Sequence, residues 1–356
     1  ARLTRMLALN PLFVTVTWGA GGSTSEKSLE LAATCQKVLD LTTVLHLTCT
    51  NTNREVIDTA LAKAKETGVR NILALRGDPP RTQEYWTPNC EFNYAIDLVK
   101  YIKEQYGDYF CVGVAGYPEG HVEGSDALNQ DPNHDLPYLR EKVEAGADFI
   151  VTQLFFDVDK FLLYEKVLSS DPVMLKVPLI PGLMPITTHL VFLRATKLSN
   201  ASVPQEIAQK LEAAEGNDDL VKRIGVDILV DIVAQIDAKT GGNIKGYHFY
   251  SLNLEKAIAS IINESPILSP ILDRITESPN NDVFDAEDDD STEVVDPRKH
   301  VRKRRQSSVV NSNDLADSVA GAGSQLLVQN ALQNNKKTMV NISTGKGVLG
   351  KDAIWD

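Results

Sequence analysis

Strand-like and helix-like segments alternate along the first 265 residues or so, and this alternation limits the folds available to the chain. The clearest strand is 71–75, where Ile72–Leu75 form an apolar run bounded by turn and charged residues. Such a run is typical of a strand buried on both faces, as in parallel sheets covered by helices. Seven such strands precede residue 253, each followed by a helical pattern, with a repeat of about 30 residues. The order predicts a parallel α/β fold.

The predicted elements end at Gly, Pro or charged residues, and the helices repeat their apolar residues with a helical period. Strands are expected at 13–18, 43–48, 71–75, 110–115, 149–156, 177–185 and 244–252. Helices are expected at 23–39, 54–67, 93–104, 135–145, 158–168, 187–198, 204–214, 218–238 and 254–262, after the end of a helix within residues 1–12. Ser23 and Glu26 predict a capping box. Seven such units favour a (β/α)8 barrel lacking one strand over an open Rossmann sheet, and no GxGxxG joins a strand to a helix.

Composition excludes several functional classes. The chain has 356 residues, 43% of them hydrophobic, which supports a large core, and its net charge of −12 argues against a nucleic-acid surface. It contains no run of about 18 apolar residues, so we expect no membrane span. The four cysteines form no CxxC pair, so they predict reduced thiols in a cytoplasmic protein and no metal site.

The character of the chain changes near residue 277. Residues 282–296 hold eight acidic side chains, and residues 298–305 hold six Lys or Arg. We expect a disordered acidic and basic linker at 277–340 and the start of a truncated regulatory domain at 341–356. The basic block before Ser307 and Ser308 is compatible with a nuclear signal, with a basophilic kinase site, or with a solvated linker that nothing reads.

Polar side chains follow the carboxyl ends of several predicted strands, where parallel barrels place their chemistry. Asp78 comes just after Arg76 and Gly77, although an isolated Asp before Pro could equally open a turn. Gln153 lies within a buried strand, and a ligand could supply the partners that a buried amide needs. His46 and Tyr250 are also compatible with ordinary core packing. No Ser-His-Asp order, HExxH pair or P-loop supports a hydrolase or a phosphoryl-transfer enzyme.

Seven segments, taken together, resemble one known family. They are VTVTWGAGG, HLTCTN, NILALRGDPP, GVAGYPEGH, EKVEAGADFIVTQLFFD, IPGLMPI and HFYSLNLEKA, and the resemblance spans about residues 1–265. The family is that of the methylenetetrahydrofolate reductases, in the fungal two-domain form. The resemblance implies a (β/α)8 catalytic barrel over residues 1–276 that binds FAD. It implies oxidation of NADH or NADPH and reduction of 5,10-methylenetetrahydrofolate to 5-methyltetrahydrofolate, in one-carbon metabolism and methionine biosynthesis.

We expect a homo-oligomer such as a dimer. Charge, composition and cysteine usage predict a cytoplasmic protein with no nucleic-acid or membrane partner. S-adenosylmethionine would be bound by a C-terminal regulatory domain that lies beyond this chain.

The family motifs also imply roles for individual residues. Asp78 is expected to be catalytic, near both flavin and folate, and Gln153 and Tyr250 are expected to contact the substrate. The residues expected to contact FAD are Thr17, Trp18, His46, Arg76, Gly77, Asp78, Tyr94, Ala95, Ala115, Tyr117, His121, Asp135 and Lys142.

The sequence departs from the family pattern in two places. Nothing in residues 1–12 matches the first strand of the family, a Glu-Phe-Phe-Pro-Pro-type segment whose glutamate is the general acid. Either the sequence is a fragment, or the chain lacks both barrel closure and proton donor and acts as a weak or inactive paralogue in a regulatory or oligomeric role. An open edge there predicts marginal stability or aggregation. Leu254 stands where many relatives have Arg. A proline-dehydrogenase-like FAD barrel shares the architecture but not the motifs.

Overall fold

The computed structural model describes residues 2–19, 24–49, 52–77, 92–121 and 130–270. The linker and regulatory segment expected at 277–340 and 341–356 lie outside this part of the chain, and so does Asp78. The strands are β1 Val14–Val16, β2 Thr43–Thr48, β3 Asn71–Leu75, β4 Cys111–Gly116, β5 Phe149–Leu154, β6 Leu179–Leu183 and β7 His248–Phe249. The α-helices are α1 Arg2–Leu7, α2 Ser25–Ala33, α3 Arg54–Glu66, α4 Ala95–Tyr106, α5 Leu136–Glu144, α6 Val158–Ser170, α7 His189–Ser199, α8 Gln205–Ala213, α9 Asp218–Thr240 and α10 Glu255–Glu264.

The seven described strands form one parallel sheet in the order β1 to β7. Each inner strand therefore pairs with the strands before and after it in the chain, whereas an open Rossmann sheet reverses its order at a switch point. The sheet curls so that its first and last strands come together. The Phe13 ring, just before β1, stacks on His248 of β7 with 6.2 Å between centroids. The predicted TIM-type α/β architecture is confirmed.

Apolar side chains fill the inside of the curled sheet. Val44, Leu73, Phe149 and Val151 form a buried cluster there. The Phe149 ring fits because its neighbour on β4 is Gly113, where an added Cβ would lie 2.2 Å from the ring. The interior is thus a packed core, as in other barrels of this size.

Helices cover the outside of the sheet. Helix α9 buries Ile228, Leu229, Ile232 and Ile236 in a core that also contains residues of α6, β6 and α10. All four lie in the helix predicted at 218–238. Leu220 of the same helix is 44% exposed, although the adjacent Val221 is fully buried.

The first and last described helices close the layer of helices. Ala8 and Leu9, which follow α1, pack against Ile258 and Ala259 of α10. The guanidinium of Arg5 lies 2.5 Å from the carboxylate of Glu255, whose side chain is 1% exposed. This buried ion pair links the two helices across about 250 residues.

Some predicted boundaries were wrong, mainly at the ends of the sheet. The last strand was expected at 244–252 but comprises only His248 and Phe249, since within the described chain it pairs on one side, with β6. The first strand is shortened in the same way. Helix α2 has Thr24 rather than Ser23 as its N-cap, and the Thr24 hydroxyl accepts a hydrogen bond from the Gly19 amide.

Among the described helices, none combines the length and the hydropathy needed to cross a bilayer.

Candidate functional site

The carboxyl end of β4 gathers five of the residues expected to contact a cofactor. The rings of Tyr117 and His121 meet edge to face, with 4.6 Å between centroids. The backbone amide of His121 donates a hydrogen bond to Asp135, which lies at the start of α5. From α5, the Lys142 ammonium reaches back and donates to the carbonyl of Ala115 at 3.4 Å. The segment 115–121 is therefore held close to α5.

Within this cluster, Lys142 is a cation that is largely removed from water. Burial lowers the pKa of its ammonium to about 8, and the nearby Asp135 carboxylate opposes that shift. Its only hydrogen bond within the described chain is the long one to Ala115. A partly buried cation of this kind is well suited to bind an anionic group of a ligand.

A second group lies where β3 ends and α4 begins. The guanidinium of Arg76 lies over the Tyr94 ring, 5.2 Å from its centroid. Cys49, just after β2, donates from Sγ to the carbonyls of Arg76 and Tyr94, at 3.9 and 3.5 Å. Gly77 has a φ of +100°, which other residues rarely adopt, so the turn after β3 depends on glycine there. Ala95, also expected at the site, is the first residue of α4.

Strand β2 contributes two inward-facing polar residues, His46 and Thr48. Side chains of a strand point alternately to its two faces, so His46 and Thr48 lie on the same face as Val44. Val44 belongs to the interior cluster. The Nε2 atom of His46 and the hydroxyl of Thr48 are buried and have no hydrogen-bond partner within the described residues. Burial, reinforced by the nearby His248, lowers the pKa of His46 to about 3. The imidazole is therefore neutral at pH 7 and can accept or donate a hydrogen bond to a bound group.

Thr17 and Trp18 follow β1. Thr17 is exposed, and its carbonyl accepts a hydrogen bond from the Ser28 hydroxyl on α2 at 2.8 Å. The Trp18 side chain is 7% exposed and belongs to the outer core, which it shares with Ala32 and Cys35. The exposed Thr17 side chain is thus the more accessible of the two to a ligand.

At the end of β5, a hydrogen-bonded set surrounds Gln153. The hydroxyl of Tyr250 donates to the carbonyl of Thr152 at 2.8 Å, and burial raises the pKa of Tyr250. The Thr152 hydroxyl accepts from the Gly182 amide on β6 at 2.8 Å. The side-chain carbonyl of Gln153 accepts from the Leu154 amide at 2.9 Å. The two residues expected to contact substrate, Gln153 and Tyr250, are thereby joined through Thr152.

A small cavity connects the β4 and β5 groups. Its lining includes Tyr117 and Gln153, together with Glu119 and Ser199. An expected cofactor residue and an expected substrate residue therefore face the same space. The described residues contain no group of three His, Cys, Asp or Glu side chains that could hold a metal ion.

Several residues of this site were not predicted from the sequence. Thr48, Thr152 and His248 lie within the quoted family segments, but no local pattern singles them out, and the hydrogen-bond partners of Thr152 and His248 on other strands lie at least 30 positions away in the chain. Glu119 was not singled out, yet it is buried and pairs with Lys160 at 2.9 Å. Only the Pro181-Gly182 pair inside a strand offered a local signal, because both residues are uncommon there and together mark an irregularity.

The strand ends thus present hydrogen-bonding groups and the Lys142 cation, which have the chemistry to pair with a polar, anionic ligand. Known proteins that resemble this chain in sequence belong to one family. The methylenetetrahydrofolate reductase family model matches residues 1–266. Methylenetetrahydrofolate reductase 2 of Schizosaccharomyces pombe is 40% identical over 371 aligned positions, which cover all of this chain and 56% of that protein. Methylenetetrahydrofolate reductase 2 of Saccharomyces cerevisiae is 45% identical over 75% of this chain and 44% of its own length.

A bacterial relative is matched over a larger share of its own length than the two fungal proteins are. The 5,10-methylenetetrahydrofolate reductase of Pectobacterium carotovorum is 33% identical over 70% of this chain and 78% of its own length. The chain spans about half the length of the two fungal relatives. With a family model matched over residues 1–266, the chain belongs to the methylenetetrahydrofolate reductase family.

Proposed function

We propose that this chain carries the FAD-dependent catalytic module of a methylenetetrahydrofolate reductase, within residues 1–276. The reaction is the reduction of 5,10-methylenetetrahydrofolate to 5-methyltetrahydrofolate with NADH or NADPH. Relatives named for this activity with NADH, in Zea mays and Arabidopsis thaliana, and one named for NADPH, in Caenorhabditis elegans, support the reaction and leave the nicotinamide open. The observation that carries the proposal is the pair of buried polar atoms on β2, Nε2 of His46 and the hydroxyl of Thr48, which have no hydrogen-bond partner within the described residues.

The residues at the strand ends fit FAD by their chemistry. Nε2 of His46 and the hydroxyl of Thr48, buried and without a partner among the described residues, can pair with the polar edge of a flavin. The Lys142 ammonium can pair with its pyrophosphate. When bound, FAD supplies the hydride transfer between the nicotinamide and the folate. Arg76, Tyr94, Tyr117 and His121 would hold other parts of the cofactor.

The side chains of this chain would bind and orient the reactants. His46 is neutral at pH 7, so it can hydrogen-bond to the flavin without placing a charge beside it. Gln153 would bind the pterin, and Asp78 would act near both rings. A cytoplasmic homo-oligomer and control by S-adenosylmethionine through a further domain belong to the same proposal.

The test uses the full chain and separates the two half-reactions. Purified protein should absorb as a flavoprotein or should become yellow on addition of FAD. Under anaerobic conditions NADH or NADPH should bleach the flavin, and 5,10-methylenetetrahydrofolate should restore its absorbance. Asp78→Asn should slow the second step far more than the first.

The two ways in which this experiment can fail lead to different conclusions. A folded, colourless protein that refuses FAD would overturn the proposal. Flavin that is reduced normally but never reoxidised by the folate would instead favour the alternative role of a regulatory or oligomeric subunit.

A further inference from the structure

Strand β5 contains a bulge where it pairs with β6. Val151 pairs with Ile180, and the next pair is Leu154 with Gly182. Two residues of β5, Thr152 and Gln153, therefore lie opposite the single residue Pro181. Proline has no amide proton, so it cannot donate to the ladder at this point. Bulges beside functional sites commonly redirect a side chain.

Hydrogen bonds from outside the ladder hold the bulge in place. The Gly182 amide donates to the Thr152 hydroxyl, and the Tyr250 hydroxyl donates to the Thr152 carbonyl, both at 2.8 Å. Thr152 is fully buried, and its hydroxyl also donates to the Gln153 carbonyl at 2.9 Å, so the two bonds satisfy the Gly182 amide and the Thr152 carbonyl. An added Cβ on Gly182 would lie 2.3 Å from the Thr152 carbonyl oxygen and 2.7 Å from the Tyr250 ring. Glycine at 182 is thus what allows Tyr250 to reach Thr152.

The bulge fixes the polarity of the Gln153 amide. Its side-chain oxygen lies 2.9 Å from the Leu154 amide, and a backbone N–H can only donate. The oxygen is therefore committed to the protein. The NH2 group has no protein partner within the described chain, and Gln153 lines the cavity shared with Tyr117. The side chain is set to donate rather than to accept.

We infer that Thr152, Gly182 and Tyr250 are positioning residues that present Gln153 to the folate as a hydrogen-bond donor. This inference rests on the proposed function. It assigns to the Tyr250 hydroxyl a role different from direct substrate contact, because that hydroxyl already donates to Thr152.

The experiment is a double-mutant cycle on the full chain loaded with FAD. The dissociation constant of 5-methyltetrahydrofolate is measured by fluorescence for wild type, Tyr250→Phe, Gln153→Ala and the double variant. Tyr250→Phe removes one hydroxyl and should weaken binding about fivefold, as expected for one lost hydrogen bond. In the Gln153→Ala background the same change should have no further effect.

Tyr247→Phe is the matched control. Its hydroxyl also donates to a backbone carbonyl, that of Val233, at 3.4 Å and away from the cavity. Binding by this variant should equal that of wild type. A second measurement needs no folate: hydrogen exchange of the Leu154 amide should become faster in Tyr250→Phe and should not change in Tyr247→Phe.

The outcomes are distinct. If Tyr250→Phe weakens binding equally in both backgrounds, the hydroxyl contacts the ligand directly and the inference is wrong. Unchanged binding, unchanged exchange at Leu154, or an equal loss in Tyr247→Phe would also overturn it. A wild-type chain that binds FAD but not the folate would refute the proposed function, and the exchange measurement would still decide whether Tyr250 holds the bulge.

Discussion

The hydroxyl of Thr15 on β1 lies 3.2 Å from Nε2 of His248 on β7, across a sequence separation of 233 residues. This contact joins the first and last described strands of the sheet on its inner side. His248 is 7% exposed, and its Nδ1 atom is buried without a hydrogen-bond partner in the described part of the chain. Its imidazole also meets the Tyr250 ring, with 4.6 Å between centroids. The closure of the sheet and the group around Tyr250 therefore share one histidine.

This environment predicts acid sensitivity. Burial lowers the pKa of His248 to about 4 and that of His46 to about 3, from 6.5 in each case. The unfolded chain therefore binds protons that the folded chain does not, so stability is full above pH 6.5 and falls as the pH drops towards 4. Each histidine should contribute a slope on the order of 1 kcal/mol per pH unit. Urea unfolding at pH 7.5, 6 and 5 measures it.

The control for this prediction is His134→Gln, a histidine that is exposed. The pH slope should be smaller in His248→Gln than in wild type and unchanged in His134→Gln. Identical slopes in all three proteins would contradict the assignment.

Gly113 predicts a packing effect inside the barrel. Gly113→Ala would place a methyl group 2.2 Å from the Phe149 ring, so the variant should lose roughly 1–3 kcal/mol of unfolding free energy through overpacking. Gly246→Ala is the matched change, because an added Cβ there meets no atom within 4 Å. Denaturant titration of both variants tests the prediction, and equal losses would refute it.

Glu119 predicts a difference between an ion pair with a buried carboxylate and a pair that is exposed on both sides. Its carboxylate lies 2.9 Å from the Lys160 ammonium and also accepts from the Ser202 amide, which ties the segment after β4 to α6 and to the chain after α7. Glu119→Gln should lower the unfolding free energy by about 1 kcal/mol, because the amide oxygen can still accept from Ser202 but the charge that pairs with the half-exposed Lys160 is removed.

The comparison is Glu66→Gln, whose partner Lys63 lies at 3.0 Å with both side chains at least half exposed. Water and salt screen such a pair, so we expect no measurable change in stability. A loss in Glu66→Gln as large as in Glu119→Gln would show that burial of the Glu119 pair is not what matters.

Lys142 predicts a pH dependence of cofactor binding. Its pKa of about 8 in the protein without ligand means that the ammonium loses its proton as the pH rises through that value. If the charged form binds the pyrophosphate, FAD affinity should fall above pH 8, by up to about tenfold per pH unit. Flavin fluorescence titrations from pH 7 to 9.5 measure this. Lys142→Met should bind FAD more weakly at pH 7 and without this dependence, whereas a retained slope would exclude Lys142 as its source.

Much of the architecture could be read from local patterns. Strand β2 was predicted with its observed limits, and helices such as α3 and α9 were predicted within two residues at each end. Apolar runs and helical periodicity are properties of neighbouring residues, so they can be recognised without knowing the tertiary packing. The convergence of residues at the carboxyl ends of parallel strands followed from the same alternation. Residue roles such as that of Asp78 came only from family resemblance and remain predictions.

Local sequence patterns specify the order and kind of the elements and the edge at which polar groups gather. They do not specify that β7 has two residues, that β5 bulges opposite Pro181, or that Tyr250 bonds to Thr152. These features depend on register and on partners brought together by sheet closure, as Thr15 and His248 are. A residue's own neighbours carry no information about a partner some hundred or more positions away, so such contacts appear only when the sheet has curled.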